Sequence, residues 1–397
     1  MMRRKWMVLV QLVIVLSLML AACSPADTQV ESTQPQAATE APQATQAPTQ
    51  EPTAEPTATT APTQAPEPTA EPTATEVAFT APDNALVSVP AEAPTLEGSA
   101  DEAAWAEAPE IKTQVAGGAN ESDTEVTIKS VYDGDTVYFL AQWADPSESF
   151  LRSPWEKQAN GSWIMLNDPD DKGGDNNLYY EDKMSIIWSI DNSIKNFETA
   201  GCFTACHAGE NSDVKPYGNK YTSNEGELGD IWHWKSVRNL GQIDDQYLDW
   251  TRYSAETPGA GRKSDAKDSG GYTDNQTEDK SMPAFMPPDG GSKDGAPGYI
   301  LESEKVPFDD SQFEAGDRLP SVIISEMMGD RGDISAAWQW VDGVYTLEFS
   351  RALDTGSETD VQFNDLAATY YFGVAIFDNA QVRHAFQTDV TPFVFQP

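Results

Sequence analysis

Two runs that alternate apolar and polar residues, Val126–Val131 and Thr136–Trp143, stand on either side of Asp133-Gly134 and commit that part of the chain to a β-hairpin. The same period of two returns in Lys183–Ile190, Val322–Ser325, Tyr345–Phe349 beside the turn Asp342-Gly343, and Tyr371–Phe377. Many short strands joined by turn chemistry predict a mainly β domain, an antiparallel β-sandwich with long loop or helical insertions. Between them, Ala208–Gly298 is polar and rich in Gly, Asp, Lys and Ser. It is expected to form excursions from the sandwich, with a short helical or irregular piece around Asp230–Leu240. The sandwich should occupy residues 84–397, enough chain for a sizeable core.

What precedes it cannot fold in this way. Residues 1–22 hold a basic start (Arg3, Arg4, Lys5) and an apolar run, Trp6–Leu20, and Leu20-Ala21-Ala22-Cys23 has the form of a lipoprotein cleavage box. The run is short for a membrane span and ends in small residues. Cys23 is therefore expected to carry lipid, anchoring the mature chain on the extracytoplasmic face of the cell membrane. Residues 23–80 are Pro, Thr, Ala, Gln and Glu, with Glu51–Thr59 recurring at Glu67–Thr75, and cannot bury a core. They are expected to be a disordered linker, extended at about 3.1 Å per residue and reaching up to about 150 Å.

The net charge is −39; removal of residues 1–22 takes away three basic residues and no acid, leaving the remainder near −42. Nucleic acid is excluded as a natural partner. An acidic surface keeps a domain soluble and can steer it toward a basic redox partner.

Gly201-Cys202-Phe203-Thr204-Ala205-Cys206-His207 carries the chemistry. Two thiols followed at once by a histidine can bind haem c: Cys202 and Cys206 as thioethers, His207 on the iron. The cysteines are separated by three residues where the usual motif has two. The chain has only three histidines, so one directly after Cys206 is informative. A disulfide is the competing reading for an exported chain, although so short a loop removes little chain entropy. Zinc would need a third and fourth ligand, and there is no second cysteine pair.

Across most of the globular part the chain resembles the haem-binding domain of the γ subunit of ethylbenzene dehydrogenase and its relatives, a β-sandwich similar to family-nine carbohydrate-binding modules. The matching pieces are Leu96–Trp105, Val137–Trp143 with Ala144-Asp145-Pro146, Asp182–Trp188, Asp230–Lys235, Gly343–Phe349 with Arg351–Gly356, and Phe372–Asp378. In those γ subunits a methionine and a lysine hold a b-type haem without covalent bonds. Here Cys202–His207 stands where the family places its methionine, and Arg383-His384 lies near the family's lysine. The resemblance thus implies His207 as proximal and His384 as distal ligand of one covalent haem c.

His233, between Trp232 and Trp234, competes for the distal position; the family carries a similar segment with its ligands elsewhere, which implies packing or propionate contact instead. Met282, Met286, Met327 and Met328 are the other candidates. Trp232, His233 and Trp234 are candidate haem contacts; Trp338 and Trp340 could shield a haem from water; Lys235, Arg238 and Arg351 could pair with its propionates. The acidic run Asp168–Asp175 lacks the positional pattern of a helix-loop-helix calcium site. No Ser-His-Asp order, phosphate loop or paired-carboxylate motif stands out, so an electron-transfer protein is expected rather than an enzyme. By the same resemblance it would exchange electrons with an oxidoreductase, possible kin of the molybdenum and iron–sulfur partners of the γ subunits. The alternatives are a carbohydrate- or solute-binding lipoprotein with a disulfide in place of haem, and a haem sensor with an open sixth position.

Overall fold

The computed structural model describes residues 79–170, 176–207, 221–252 and 262–397. Cys23, the signal peptide, the linker as far as residue 78, and residues 171–175 of the acidic run lie outside them.

Eleven strands build the sandwich: β1 (Leu86–Pro90), β2 (Glu110–Val115), β3 (Thr124–Asp133), β4 (Thr136–Ala144), β5 (Lys183–Ser189), β6 (Gly229–Lys235), β7 (Gln242–Leu248), β8 (Ile334–Val341), β9 (Val344–Ala352), β10 (Tyr370–Phe377) and β11 (Thr391–Phe395). Their hydrogen-bonded order is β1-β11-β10-β5-β6-β7-β8-β9-β4-β3-β2. One sheet is β11-β10-β5-β6-β7 and the other β8-β9-β4-β3-β2. β1 joins them at one seam, pairing in parallel with both β11 and β3. At the other seam β7 meets β8 only through Ile243↔Ile334 and Gln242↔Ser335.

Turn chemistry closes the hairpins as expected. Asp342 and Gly343 both take positive φ, 51° and 84°, the condition for a tight type I′ turn between β8 and β9. The β3–β4 turn sits one residue later than the sequence suggests, at Gly134-Asp135, because Asp133 itself pairs with Thr136.

Period-two alternation sends one set of side chains between the sheets. Met184, Ile186 and Trp188 of β5, Trp232 and Trp234 of β6, and Phe372, Val374 and Ile376 of β10 meet Phe139 and Trp143 of β4 and Tyr345, Leu347 and Phe349 of β9. Their rings pack closely: Trp188 against Phe372 at 4.7 Å, Trp143 against Tyr345 at 5.0 Å, and Phe139 against Phe349 at 5.2 Å.

The expectation for Asp230–Leu240 is overturned. Gly229–Lys235 is a central strand with every residue buried, and Gln242–Leu248 pairs beside it. Asp, His, Lys and Gln obscured the alternation because this sheet is covered on both faces, so its polar positions are buried too. The described residues of the 249–333 stretch carry short strands, and Met286, Phe313 and Leu319 from it form a satellite cluster with Trp155 and Trp163.

On the outer face of β9, Glu348 holds down the Leu96–Trp105 segment. Its carboxylate accepts the backbone N–H groups of Glu97 (2.8 Å), Gly98 (2.6 Å) and Ala100 (3.1 Å) and the Trp105 indole N–H (2.9 Å). Gly98 has φ 75°, and a Cβ there would lie 2.6 Å from the Trp338 carbonyl carbon, so only glycine lets the segment approach this closely. Glu348→Ala, which leaves four donors without their acceptor, is expected to lower unfolding free energy by about 3 kcal/mol in chemical denaturation. A loss under about 0.5 kcal/mol, the size of a plain surface change, would refute this anchoring role.

Candidate functional site

The residues of β10, β5, β6 and β7 that face away from the core form the floor of a cavity of about 260 Å³. Register sets them in rows across the sheet. Gly373, Ile187, Ile231 and Gln246 make one row; Ala375, Ser185, His233 and Asp244 the next; Phe377, Lys183 and Lys235 the third. Cys202, Cys206 and His207 line the cavity together with Val382, His384 and Phe386 from the segment after β10, and Tyr180, Arg238, Arg262 and Tyr272 complete it.

The cysteine motif is wound into a compact turn. A 3₁₀ segment, Gly201–Thr204, opens it, and the N–H of His207 donates to the carbonyl of Cys202 at 2.9 Å. That bond spans five residues, so the backbone takes up the extra residue between the cysteines in one wide turn. Cys202 is buried and Cys206 is half-buried. Burial pushes the Cys202 thiol far above its usual range, with Cys206 adding to the shift. Gly373 leaves room for this sulfur: a Cβ there would lie 2.6 Å from Cys202 Sγ.

His207 and His384 come from segments 177 residues apart, and their Nε2 atoms lie 3.3 Å from each other. The rings are held by aromatic neighbours. Phe386 lies 4.5 Å and Phe203 5.5 Å from the His207 ring, and Phe377 4.8 Å from the His384 ring. Burial, then the His207 neighbour, lowers His384 to about 3, so its imidazole is neutral near pH 7 and offers a lone pair.

His233 also lines the cavity. It is 2% exposed, stacks on Phe377 with centroids 5.6 Å apart, and neither ring nitrogen has a hydrogen-bond partner. Burial and the nearby cations Arg262 and Lys235 keep it neutral, well below the usual histidine range.

In a chain with 64 acidic and 25 basic residues, Lys183, Lys235, Arg238 and Arg262 converge on this one cavity. Arg238 pairs with buried Glu181, which also accepts from the backbone N–H groups of Val237 and Arg238 at 3.0 Å. Lys235 pairs with Asp244, which Arg331 also holds at 2.5 Å. Burial lowers Lys235 to about 7 despite this partner. Lys183 donates to the Gln381 carbonyl at 3.0 Å, and its ammonium lies 4.1 Å and 4.6 Å from the ring centroids of Phe377 and Tyr180. Burial and Arg238 hold its pKa well below the usual lysine range. Together these side chains make a floor suited to an anion.

Several sequence candidates fall elsewhere. Trp232 and Trp234, expected as haem contacts, do not line the cavity, because strand alternation turns them into the core while His233 between them faces out. Arg351, expected near propionates, is buried in the sandwich on the inner side of β9, 3.0 Å from Asp230. Trp338 and Trp340 pack against the main core from β8. None of the candidate methionines reaches the cavity: Met282 and Met328 are exposed, Met286 belongs to the satellite cluster, and Met327 is buried elsewhere. Sequence reading missed Lys183, Arg262 and Gly373. For Lys183 the signal was present, since Lys183, Ser185 and Ser189 are the polar positions of a strand that is otherwise apolar and all fall on the same face.

Among curated proteins no relative matches the chain. Solved structures similar to it include a family-nine carbohydrate-binding module from Caldicellulosiruptor kristjanssonii in complex with glucose, at 9% identity and a TM-score of 0.29, covering 78% of this chain and 94% of that one. The same module in complex with cellotriose gives 10% identity and a TM-score of 0.29, over 78% and 93%. The family model described as ethylbenzene dehydrogenase matches residues 101–389. That match takes in more than half of the chain and every residue lining the cavity, and the chain belongs to the ethylbenzene dehydrogenase family.

Proposed function

We propose that this chain is a haem c electron carrier, tethered by lipid on Cys23 to the extracytoplasmic face of a membrane. The observation that carries the reading is the approach of two imidazoles, His207 and His384, to 3.3 Å in a cavity that both thiols of the motif also line. Metal–imidazole bonds are about 2 Å long, so both ring nitrogens are within reach of a single ion placed between them.

The donor set suits haem better than a bare metal. Among the described residues, no group of three donors within 4.8 Å of one another includes a cysteine. A zinc tetrahedron needs its sulfurs that close, whereas thioethers attach at the porphyrin edge and leave the iron to the imidazoles. Cys202 and Cys206 would hold the macrocycle, with Gly373 leaving space beneath Cys202. His207 and His384 would bind the iron, and Lys183 and Arg238 would face its acidic groups. Apolar Ile187, Ile231 and Phe377 would limit water. A bound haem supplies a one-electron couple whose potential follows axial ligands, burial and hydrogen bonding.

On this reading the acidic surface serves encounter with a basic redox partner, and the linker supplies reach from the membrane. The glycan-binding alternative needs tryptophans to stack on sugar. Trp143, Trp188, Trp232 and Trp234 are sealed in the core at 2% exposure or less, which leaves that reading the half-buried Trp338 and Trp340 of β8.

Produced with a cytochrome c maturation system, the full chain is expected to show a Soret band and keep its haem in denaturing gels. Cys202→Ala with Cys206→Ala should leave pigment absent or extractable. A colourless wild-type protein whose two sulfurs are joined to each other would overturn the proposal.

The distal assignment has its own measurement. His384→Ala should convert the ferrous protein to a form that binds carbon monoxide, while His233→Ala should leave the six-coordinate spectrum in place. His384→Met should keep six-coordination and raise the reduction potential, since a thioether favours ferrous iron. An unchanged spectrum in His384→Ala would remove His384 from the iron.

A further inference from the structure

Away from the cavity, the described residues bring three groups of carboxylates close enough for their oxygens to meet one ion. In Asp145, Asp182 and Asp378 most of the oxygens are already used. Asp182 accepts the backbone N–H groups of Asn379 (2.7 Å) and Ser149 (2.6 Å) and the Tyr345 hydroxyl (2.8 Å), and Asp378 accepts the N–H of Glu121 (2.8 Å). In Asp230, Asp245 and Asp360 the counter-ion is Arg351, whose Nη1 lies 3.0, 3.9 and 3.7 Å from the three acids.

The third group, Asp265, Asp330 and Asp360, is built differently. One oxygen from each lies within 4.8 Å of the others. Asp265 and Asp360 are 5% and 1% exposed, yet Asp265 Oδ2 and Asp360 Oδ1 accept no hydrogen bond. Three hydroxyls of one loop hold the opposite oxygens. Thr359 donates to Asp265 Oδ1 at 2.6 Å, Ser357 to Asp330 Oδ2 at 2.9 Å, and Thr355 to Asp360 Oδ2 at 2.6 Å. Among the described residues neither Asp265 nor Asp330 makes an ion pair, and Arg351 is shared with Asp230 and Asp245.

We propose that Asp265, Asp330 and Asp360 hold a hard divalent cation, calcium in class. All the donors are oxygen, which selects calcium or magnesium over softer metals. Calcium accepts irregular sets of six to eight oxygens, and this mixed cluster of carboxylates, with water able to enter beside half-buried Asp330, suits it better than a strict octahedron. Buried carboxylate oxygens with no donor are costly unless a cation or a proton meets them.

The position gives the ion a task. Asp265 follows the short strand Lys263–Ser264 that pairs with β7, Asp330 lies in the turn entering β8, and Asp360 follows β9. This is the seam where the two sheets share only two residue pairs. A cation here would staple the sheet that floors the cavity to its partner.

The test uses the purified full chain, stripped with a chelator and titrated with calcium chloride, followed by native mass spectrometry, calorimetry and thermal unfolding. One calcium per chain and a rise in melting temperature are expected. Asp330→Asn, the least buried of the three changes, should fold and lose at least tenfold in affinity. Asp145→Asn, in the first carboxylate group, should bind as the parent does. No uptake at millimolar calcium would overturn the site. So would uptake that survives Asp330→Asn, and uptake lost in Asp168→Asn would assign the ion to the acidic run instead.

Discussion

The structure depends on one sheet having both faces buried. β10, β5 and β6 alternate with a period of two, and each successive residue goes to a different interior. Trp188, Trp232, Trp234 and Phe372 seal the sandwich, while Ile187, Ile231, His233 and Gly373 floor the cavity. Because neighbouring strands are locked in register by the ring packing on the core side, the outward side chains are locked as well. A shift of one residue in β6 would send His233 into the core and Trp232 into the cavity. The site is thus held by the same hydrogen bonds and aromatic contacts that stabilise the fold, and the Cys202–His207 turn and the His384 segment need only close over a rigid surface.

Charge is distributed with the same economy. A chain at −39 gathers four basic side chains around one cavity and buries a fifth, Arg351, among aspartates within the sandwich. Neither arrangement is cheap in desolvation. Four of these cations sit with a carboxylate or an aromatic face: Arg238 with Glu181, Lys235 with Asp244, Lys183 over Phe377, and Arg351 over Trp232 at 4.9 Å. Buried pairs of this kind seldom add much stability. They do fix where charge stands in the interior.

Much of this was legible in the residues. The hairpins at residues 133–136 and 341–344 follow from turn chemistry and alternation, and the mainly β architecture follows from them. The cysteine motif singled out Cys202, Cys206 and His207, and all three line one cavity. Asp230–Leu240 was misread because the alternation test looks for apolar against polar, and a strand with two buried faces replaces that contrast with two kinds of burial. Asp244 and Asp245 look like solvent-facing acids in the sequence. In the fold one meets Lys235 and Arg331 and the other lies near Arg351, on opposite sides of the same strand.

Local sequence decided the β3–β4 and β8–β9 hairpins and placed Cys202, Cys206 and His207 within one short turn, because each of these is settled by neighbours a few residues away. Only the tertiary structure decided what faces that unit. His384 reaches His207, Lys183 and Arg238 reach the same cavity, and Asp265 reaches Asp360, through strand pairings that link distant parts of the chain. Such meetings depend on register and sheet order, which arise when the whole core packs together.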